Sequence, residues 1–492
     1  MVTATRPRPR ILEAERSGRT LADKLGASIR DVTVADAAAK TGLALRDAER
    51  GLQWALTTYR GNLKVAEGGD VVYSFPTGFT RPWATRETLS EWASRVGKWL
   101  WTGIKAGMKV WLLVTMIAYT VIFALILIGI TLAASGRSSD DDDRGGRGFS
   151  LGDFFLMRMF IDLVTDAIWA SFHYRAIRQY DDDRYGRRRK PGKRLYERVW
   201  QFIFGPEEKP VDPLEQERLL LAFIRDHHGR VGVWDVMSVT ALDRPEAERL
   251  VTRLLVDYEG DVEVTEEGAV FYVFKDLRKT AEAVVLPTRV PMAWERPVQV
   301  PALTGDNSVG TNLLVVGLNS FNLAMGAWAA SVGLTLANLQ AILAGIPPYR
   351  WPDHSIPILL GVIPIAFSAT VFTLPVGRAL GRIRDVAKAQ VQNGRRALLR
   401  LIRGSAGGGV TGEQAARAWE QGSGFAPSED QLTRQLLRLG GDLQIEEGRK
   451  DWRFPELAHE LAALREARSG ASDDEAKLGP VVFDTEKPLP ES

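Results

Sequence analysis

Three stretches of the chain lack the polar–apolar alternation expected of a folded domain in water. From Val110 to Ala134, VWLLVTMIAYTVIFALILIGITLAA, no charged residue occurs, and the run is long enough to cross the hydrocarbon core of a bilayer as a helix. Trp99, Trp101 and Trp111, with Lys105 and Lys109, mark residues 86–109 as an interfacial lead-in. The run gives way to an acidic, glycine-rich loop (135–148) that carries Asp140 to Asp143. A second apolar region covers 311–346 and a third covers 353–378, and together they predict a membrane hairpin turning near Ile346–Pro352. Pro357, Pro364 and Pro375 would kink or bound the third helix, which neighbouring helices can accommodate.

The segment 149–174 is apolar and aromatic but charged. Arg158, Asp162 and Asp166 are spaced i, i+4, i+8, so on a helix they form one polar stripe opposite a Phe/Leu/Met/Ile face. Such a helix either lies in the membrane interface or crosses with its stripe turned inward. Charge favours a return: Lys98, Lys105 and Lys109 precede the first span, a basic linker (175–210) follows the ambiguous segment, and Arg378, Arg382 and Arg384 follow the last span. The positive-inside rule puts all three groups in the cytoplasm and the Asp140–Asp143 loop outside, giving four crossings in two hairpins. Within the linker, Arg187, Arg188, Arg189 and Lys190 are candidates for contact with anionic lipid headgroups.

The remaining sequence repeats. Residues 48–75, AERGLQWALTTYRGNLKVAEGGDVVYSF, align without a gap to 247–274, AERLVTRLLVDYEGDVEVTEEGAVFYVF, and a third copy spans 428–454 with one residue fewer. Each reads as a helix, a glycine and two alternating strands, with helical material upstream. Three helices and a hairpin make a winged-helix-like module, placed here at 1–85, 211–280 and 385–468. A linker (281–310) follows the second, and a polar, disordered tail (469–492) follows the third. Leu63, Val65, Tyr73 and Phe75, matched by Val262, Val264, Tyr272 and Phe274, are expected to be core. The fold class is thus α+β, mostly helical: three or four transmembrane helices carrying three winged-helix-like modules.

Charge bears on what such modules bind. The middle one, Leu214–Phe274, has six arginines and no lysine against thirteen carboxylates, which would repel phosphate. The first and third are near balance, and Arg46, Arg50, Arg434 and Arg438 stand beside Asp47, Glu49, Glu429 and Asp430 on their helices. Nucleic acid is therefore disfavoured as a partner. Cysteine is absent, so thiolate nucleophiles and cysteine-ligated metals are excluded within this sequence. No HExxH, GxxxxGK[ST] or GxSxG motif occurs, and the adjacent His227 and His228, expected to be exposed near a helix end, do not share a helix face. No catalytic residue, cofactor or metal site is expected, and the chain is not expected to be an enzyme. MVTATRPRPR has no apolar run behind it, so no cleaved secretory signal is expected.

Several short stretches carry a resemblance: SGRSSDDDDRGGRG after the first span, ERVWQFIFGPEEKP after the basic residues, YVF closing the second hairpin, and GLNSFNL with FTLPVGRAL in the last membrane hairpin. In this order they resemble an uncharacterised integral membrane protein family of cyanobacteria, other bacteria and chloroplasts. Some members bear an iron–sulfur cluster biosynthesis label, an activity that a chain without cysteine gives no thiolates to support. The segment 149–174 and the third module depart most from that pattern.

The expectation is a membrane-anchored scaffold or adaptor in a bacterial cytoplasmic membrane, with modules in the cytoplasm that contact membrane lipids and an unidentified protein partner. A membrane-tethered DNA-binding regulator is the first alternative. A small transporter or channel component is the second, prompted by the 158/162/166 stripe and by Asn312, Asn319 and Asn322 in an apolar span. The oligomeric state is left open. Topology reporters test the four-crossing arrangement: those after Gly192 and at the C-terminus should report cytoplasm and one after Gly145 the opposite side, whereas an external Gly192 reporter removes the returning crossing.

Overall fold

The structure is a computed structural model that describes residues 14–26, 29–79, 89–135, 193–207, 212–279, 289–406, 408–446, 449–471 and 478–486. The segment 149–174 with Arg158, Asp162 and Asp166, and the basic residues Arg187, Arg188, Arg189 and Lys190, lie outside the described residues. The chain divides into two compact units, one drawn from Met1–Arg86, Pro210–Gln299 and Asp385–Ser492, the other from Glu87–Lys209 and Val300–Arg384.

The chain is mostly helical. It opens with α1 (Ala14–Leu25), β1 (Asp31–Thr33), α2 (Val34–Thr41), α3 (Leu45–Tyr59), β2 (Asn62–Ala66) and β3 (Val71–Ser74), followed by α4 (Leu89–Ser135) and α5 (Leu195–Phe204). Next come α6 (Glu215–Asp226), β4 (Arg230–Val231), α7 (Val233–Thr240), α8 (Arg244–Asp257), β5 (Asp261–Val264) and β6 (Val270–Val273). After these lie α9 (Val309–Val332), α10 (Leu339–Leu343) and α11 (Ile363–Gly404). The last elements are β7 (Val410–Thr411), α12 (Gly412–Ser423), α13 (Glu429–Arg438), β8 (Asp442–Glu446), β9 (Arg449–Arg453), α14 (Pro455–Ser469) and β10 (Val481–Asp484).

One order of elements thus recurs in the first unit: helix, short strand, helix, helix and hairpin. In each sheet the short strand pairs with the second hairpin strand, giving the orders β1-β3-β2-β10, β4-β6-β5 and β7-β9-β8. Local chemistry starts the helices that follow the short strands. Thr33 and Asp36 form a reciprocal capping box at α2, and Thr411 and Gln414 do the same at α12. Asp243 accepts from the Glu246 N–H at α8, with Pro245 in the first turn. The three segments share one hydrophobic core, which includes Leu52 and Phe75 of the first, Phe223, Trp234 and Phe274 of the second, and Trp419, Trp452 and Phe454 of the third. Trp234 meets Phe454 edge to face, with ring centroids 5.8 Å apart.

Several expectations are corrected here. Phe274 is fully buried as expected, but Val262 and Val264 are exposed (51% and 65%), and Phe271 and Val273 are buried as well, against Ala463 and Leu464 of α14. A strand's two faces alternate, and α14 covers the face that sequence alone would leave to solvent. The tail expected over 469–492 includes β10, which pairs antiparallel with β2. The linker expected over 175–210 contains α5, whose Val199, Phe202 and Ile203 are buried. Within the linker expected over 281–310, Val290 enters the shared core. His227 is half-buried, stacked on Phe223 at a centroid distance of 3.9 Å.

The second unit holds the long apolar helices. Among the described residues, three are long and apolar enough to cross a membrane, with candidate spans Trp99–Leu132, Val309–Val332 and Ile358–Gly404. The expected interfacial lead-in over 86–109 is part of α4, since the helix begins at Leu89. The second apolar region divides: α9 stops at Gly333, whose left-handed φ of 71° suits a glycine C-cap, and α10 follows. Asn338 ties the turn, donating to Gly333 O (3.1 Å) and Asp353 O (2.6 Å) and accepting from Asp353 N–H (3.0 Å). Pro357 cannot continue a helix from its N-terminal side, and a π-helical turn, Ile358–Val362, opens the third span directly after it. Gly326 and Gly361 let α9 approach that turn closely, where a side chain would press on Pro364 or Ala330. Arg378 reaches back to the end of α5, donating to Ile203 O (2.8 Å) and to Leu303 O.

The hairpin correction yields a direct test. Phe274→Ala should cost about 3–5 kcal/mol in denaturant unfolding of the detergent-solubilised chain, by loss of a fully buried ring. Val264→Ala should stay within about 0.5 kcal/mol of the parent; equal costs for the two would contradict the observed burial.

Candidate functional site: a buried arginine–carboxylate seam

The start of α7 buries a charged side chain completely. Asp235 sits in the first turn, fully buried, and its carboxylate accepts from Gly232 N–H (3.3 Å). Arg403, in the last turn of α11, donates to its Oδ1 (2.9 Å), and Arg468, near the end of α14, donates to its Oδ2 (2.5 Å). Arg468 also donates to Arg230 O (2.8 and 3.1 Å). A second carboxyl, Glu460, lies two turns before Arg468 on α14 and accepts from Trp234 N–H (2.9 Å). Gly232 has no side chain, and a Cβ there would collide with the Glu460 carboxylate. The helix N-terminus, two guanidinium groups and two carboxyls therefore converge between second and third segments.

Electrostatics divide the two acids. Burial, reinforced by the neighbouring Asp235 charge, pushes Glu460 up to about 8. Asp235 instead receives both arginines and supplies the negative charge they require. Nearby, burial and the Arg468 charge hold the His227 imidazole below its usual value, and its Nδ1 meets Phe223 O at 2.9 Å.

The arrangement has a counterpart one segment earlier. Asp36, fully buried in the first turn of α2, accepts from Arg225 at 3.0 Å, and Arg225 is in the last turn of α6. Asp36 and Asp235 each lie 12 residues before the aligned Ala48 and Ala247, so continuing the alignment without a gap puts them at one position. Leu220-Leu221-x-x-Ile224-Arg225 matches Leu398-Leu399-x-x-Ile402-Arg403. Thr33 Oγ1 donates to Lys279 O (2.9 Å), where the next segment's post-hairpin chain crosses the helix start, as α14 crosses α7. The alignment sets Gly26 in the first segment at the arginine position, and Gln414 in the third stands at the carboxylate position. Each junction therefore has a buried aspartate held by arginine from the next segment, Asp36 by Arg225 at the first and Asp235 by Arg403 and Arg468 at the second.

This seam was not singled out in the sequence. Its signal was present in the shared LLxxIR and in the aspartate three residues into each second helix, but their partnership spans 189 residues at one junction and 168 at the other. Arg438, weighed for nucleic acid, lies 3.9 Å from Asp243 at the start of α8, and α8 itself is engaged by the third segment. Arg244 of α8 pairs with Glu248 (2.8 Å) and Glu456, and Arg395 approaches Glu246 at 3.7 Å. Arg46 is exposed, 3.8 Å from Glu259. Of the membrane asparagines, Asn322 accepts from Thr120 Oγ1 (3.0 Å) and donates to Met116 O (2.9 Å), and Asn319 donates to Ser368 O (3.1 Å). Asn312 donates to Thr304 Oγ1 (3.0 Å), just ahead of α9.

No protein-family model matches the chain, and no solved structure matches it. It is similar to a chloroplast protein. That relative, an uncharacterised protein of Arabidopsis thaliana, is 28% identical over 268 residues, covering 51% of this chain and 47% of its own length. The chain thus spans about half the length of the curated relative it matches. A chloroplast relative without an assigned role agrees with the resemblance to an uncharacterised family that includes chloroplast members.

Two substitutions probe the seam. Asp235→Ala leaves two arginines facing each other and should cost about 3–5 kcal/mol. Because the Glu460 pKa is raised on folding, its contribution is fully present below its unfolded value and lost as pH rises. Unfolding free energy should therefore fall by up to about 1.4 kcal/mol per pH unit between about pH 5 and 8. Glu460→Gln should flatten that slope, and an unchanged slope would assign the titration to another group.

Proposed function

We propose that this protein is a membrane-anchored scaffold or adaptor whose three winged-helix-like modules, fused into one body, contact protein partners on the cytoplasmic side. The observation that carries the reading is the arginine–aspartate pair at each junction. A body locked by buried charge pairs and a common core presents one composite surface, as a scaffold requires. The element order and sheet orders of the three segments support the winged-helix and tandem-repeat reading.

The DNA-binding alternative is weakened by the same contacts. The first turn of α8, which would face a groove, is engaged by Glu456 and Arg395 of the third segment, and the second hairpin carries Asp261, Glu263, Glu266 and Glu267. For the transport alternative, Asn319 and Asn322 are bonded to neighbouring helices, a role that favours helix packing over a solute path. The bilayer anchor rests on the three apolar helices, whose most apolar stretches are only 22%, 39% and 33% buried, leaving apolar faces for lipid.

Crosslinking in native membranes followed by affinity purification tests the proposal. A recurring protein partner should be captured with the intact chain and lost with Asp235→Ala, which loosens the junction. Absence of any recurring partner, or co-purification of nucleic acid with a steep salt dependence, would overturn it.

A further inference from the structure

Among the described residues, the first sheet has an outer strand that its two counterparts lack. β10 runs antiparallel to β2, with Val481 opposite Ala66, Phe483 opposite Val65 and Asp484 opposite Lys64. β5 and β8, which occupy the place of β2 in the other two segments, are sheet edges among the described residues. Main-chain groups hold β10 at both ends: Glu67 N–H donates to Pro480 O (2.9 Å) and Thr485 N–H to Leu63 O (3.0 Å). Thr485 Oγ1 accepts from Leu63 N–H (2.8 Å).

Beyond the Thr485 hydroxyl, the apolar side chains of β10 add little to that hold. Val481, Val482 and Phe483 remain 53%, 69% and 44% exposed on the docked strand, and the register slips between Val481 and Phe483. The edge thus takes an extended chain mainly through its backbone, and the strand now filling it leaves much of its apolar surface in solvent. An edge of this kind is a template for strand addition, in which one extended segment can be exchanged for another.

We propose that the outer edge of β2 is a strand-acceptor site, that its ligand is an extended apolar segment of a partner protein resembling Val-Val-Phe-Asp-Thr, and that the chain's own C-terminal strand holds the site closed until displaced. The proposal rests on the protein-contact reading above and assigns it a site and a ligand class. Because β10 is part of the same molecule, it competes at high effective concentration, so a partner in solution binds weakly unless the strand is released.

The test uses the full chain in detergent micelles and a fluorescent peptide of residues 478–486. Antiparallel pairing opposite Val65 makes the Phe483 amide a donor to β2, so Phe483→Pro removes it and frees the edge. The peptide should bind the Phe483→Pro chain at least ~10-fold more tightly than the parent chain, whose tethered strand competes. The same peptide N-methylated at the Phe483 position should not bind, a control that leaves the protein fold untouched. No binding to the Phe483→Pro chain, equal binding to both chains, or undiminished binding of the methylated peptide would each overturn the proposal. Such a failure leaves the scaffold reading to its crosslinking test, which does not depend on β10.

Discussion

A carboxylate with no solvent exposure has to be compensated where it lies, and Asp235 is compensated by arginines from two helices far away in the chain. That requirement brings the ends of α11 and α14 to the start of α7, and Asp36 makes the same demand of α6. A buried ion pair adds little net stability over apolar packing, but a misplaced partner leaves a bare charge in the core. The pairs therefore act on register more than on strength.

Glu460 lies against the same helix start, and the consequences differ. With two arginines already committed to Asp235, the cheaper state for a second buried acid is the neutral one, and its proton is retained well above the usual carboxyl range. The junction of second and third segments thereby acquires a buried acid that loses its proton as pH rises, whereas at the first junction Lys279 meets the helix start through its backbone carbonyl and pairs with Asp70 through its ammonium.

The two units solve the burial of polar groups differently. In the apolar unit, polar side chains are few, and Asn319, Asn322, Thr120 and Asn338 spend their hydrogen bonds on neighbouring helices or on the interhelical turn. In the other unit, main-chain pairing and charged side chains share the task. The outer edge of the first sheet is the exception, because there the main chain is paired while the strand's own apolar side chains stay in water.

Residue pattern alone was enough for the long apolar runs, because a helix surrounded by lipid must be apolar over a fixed length whatever packs beside it. It also sufficed for the recurring helices and hairpins, since periodicity and capping residues act within a few positions of each other. The seam needed the tertiary structure. Asp36 and Asp235 look like ordinary helix-start acids until Arg225 and Arg403 arrive from another segment, and Val262 looks like core until α14 is seen to cover the opposite face. The β10 strand, more than 400 residues from its partner, carries no local sign of where it pairs. Burial and pairing belong to the assembled chain, and only its folding decides which of the many compatible partners each residue meets.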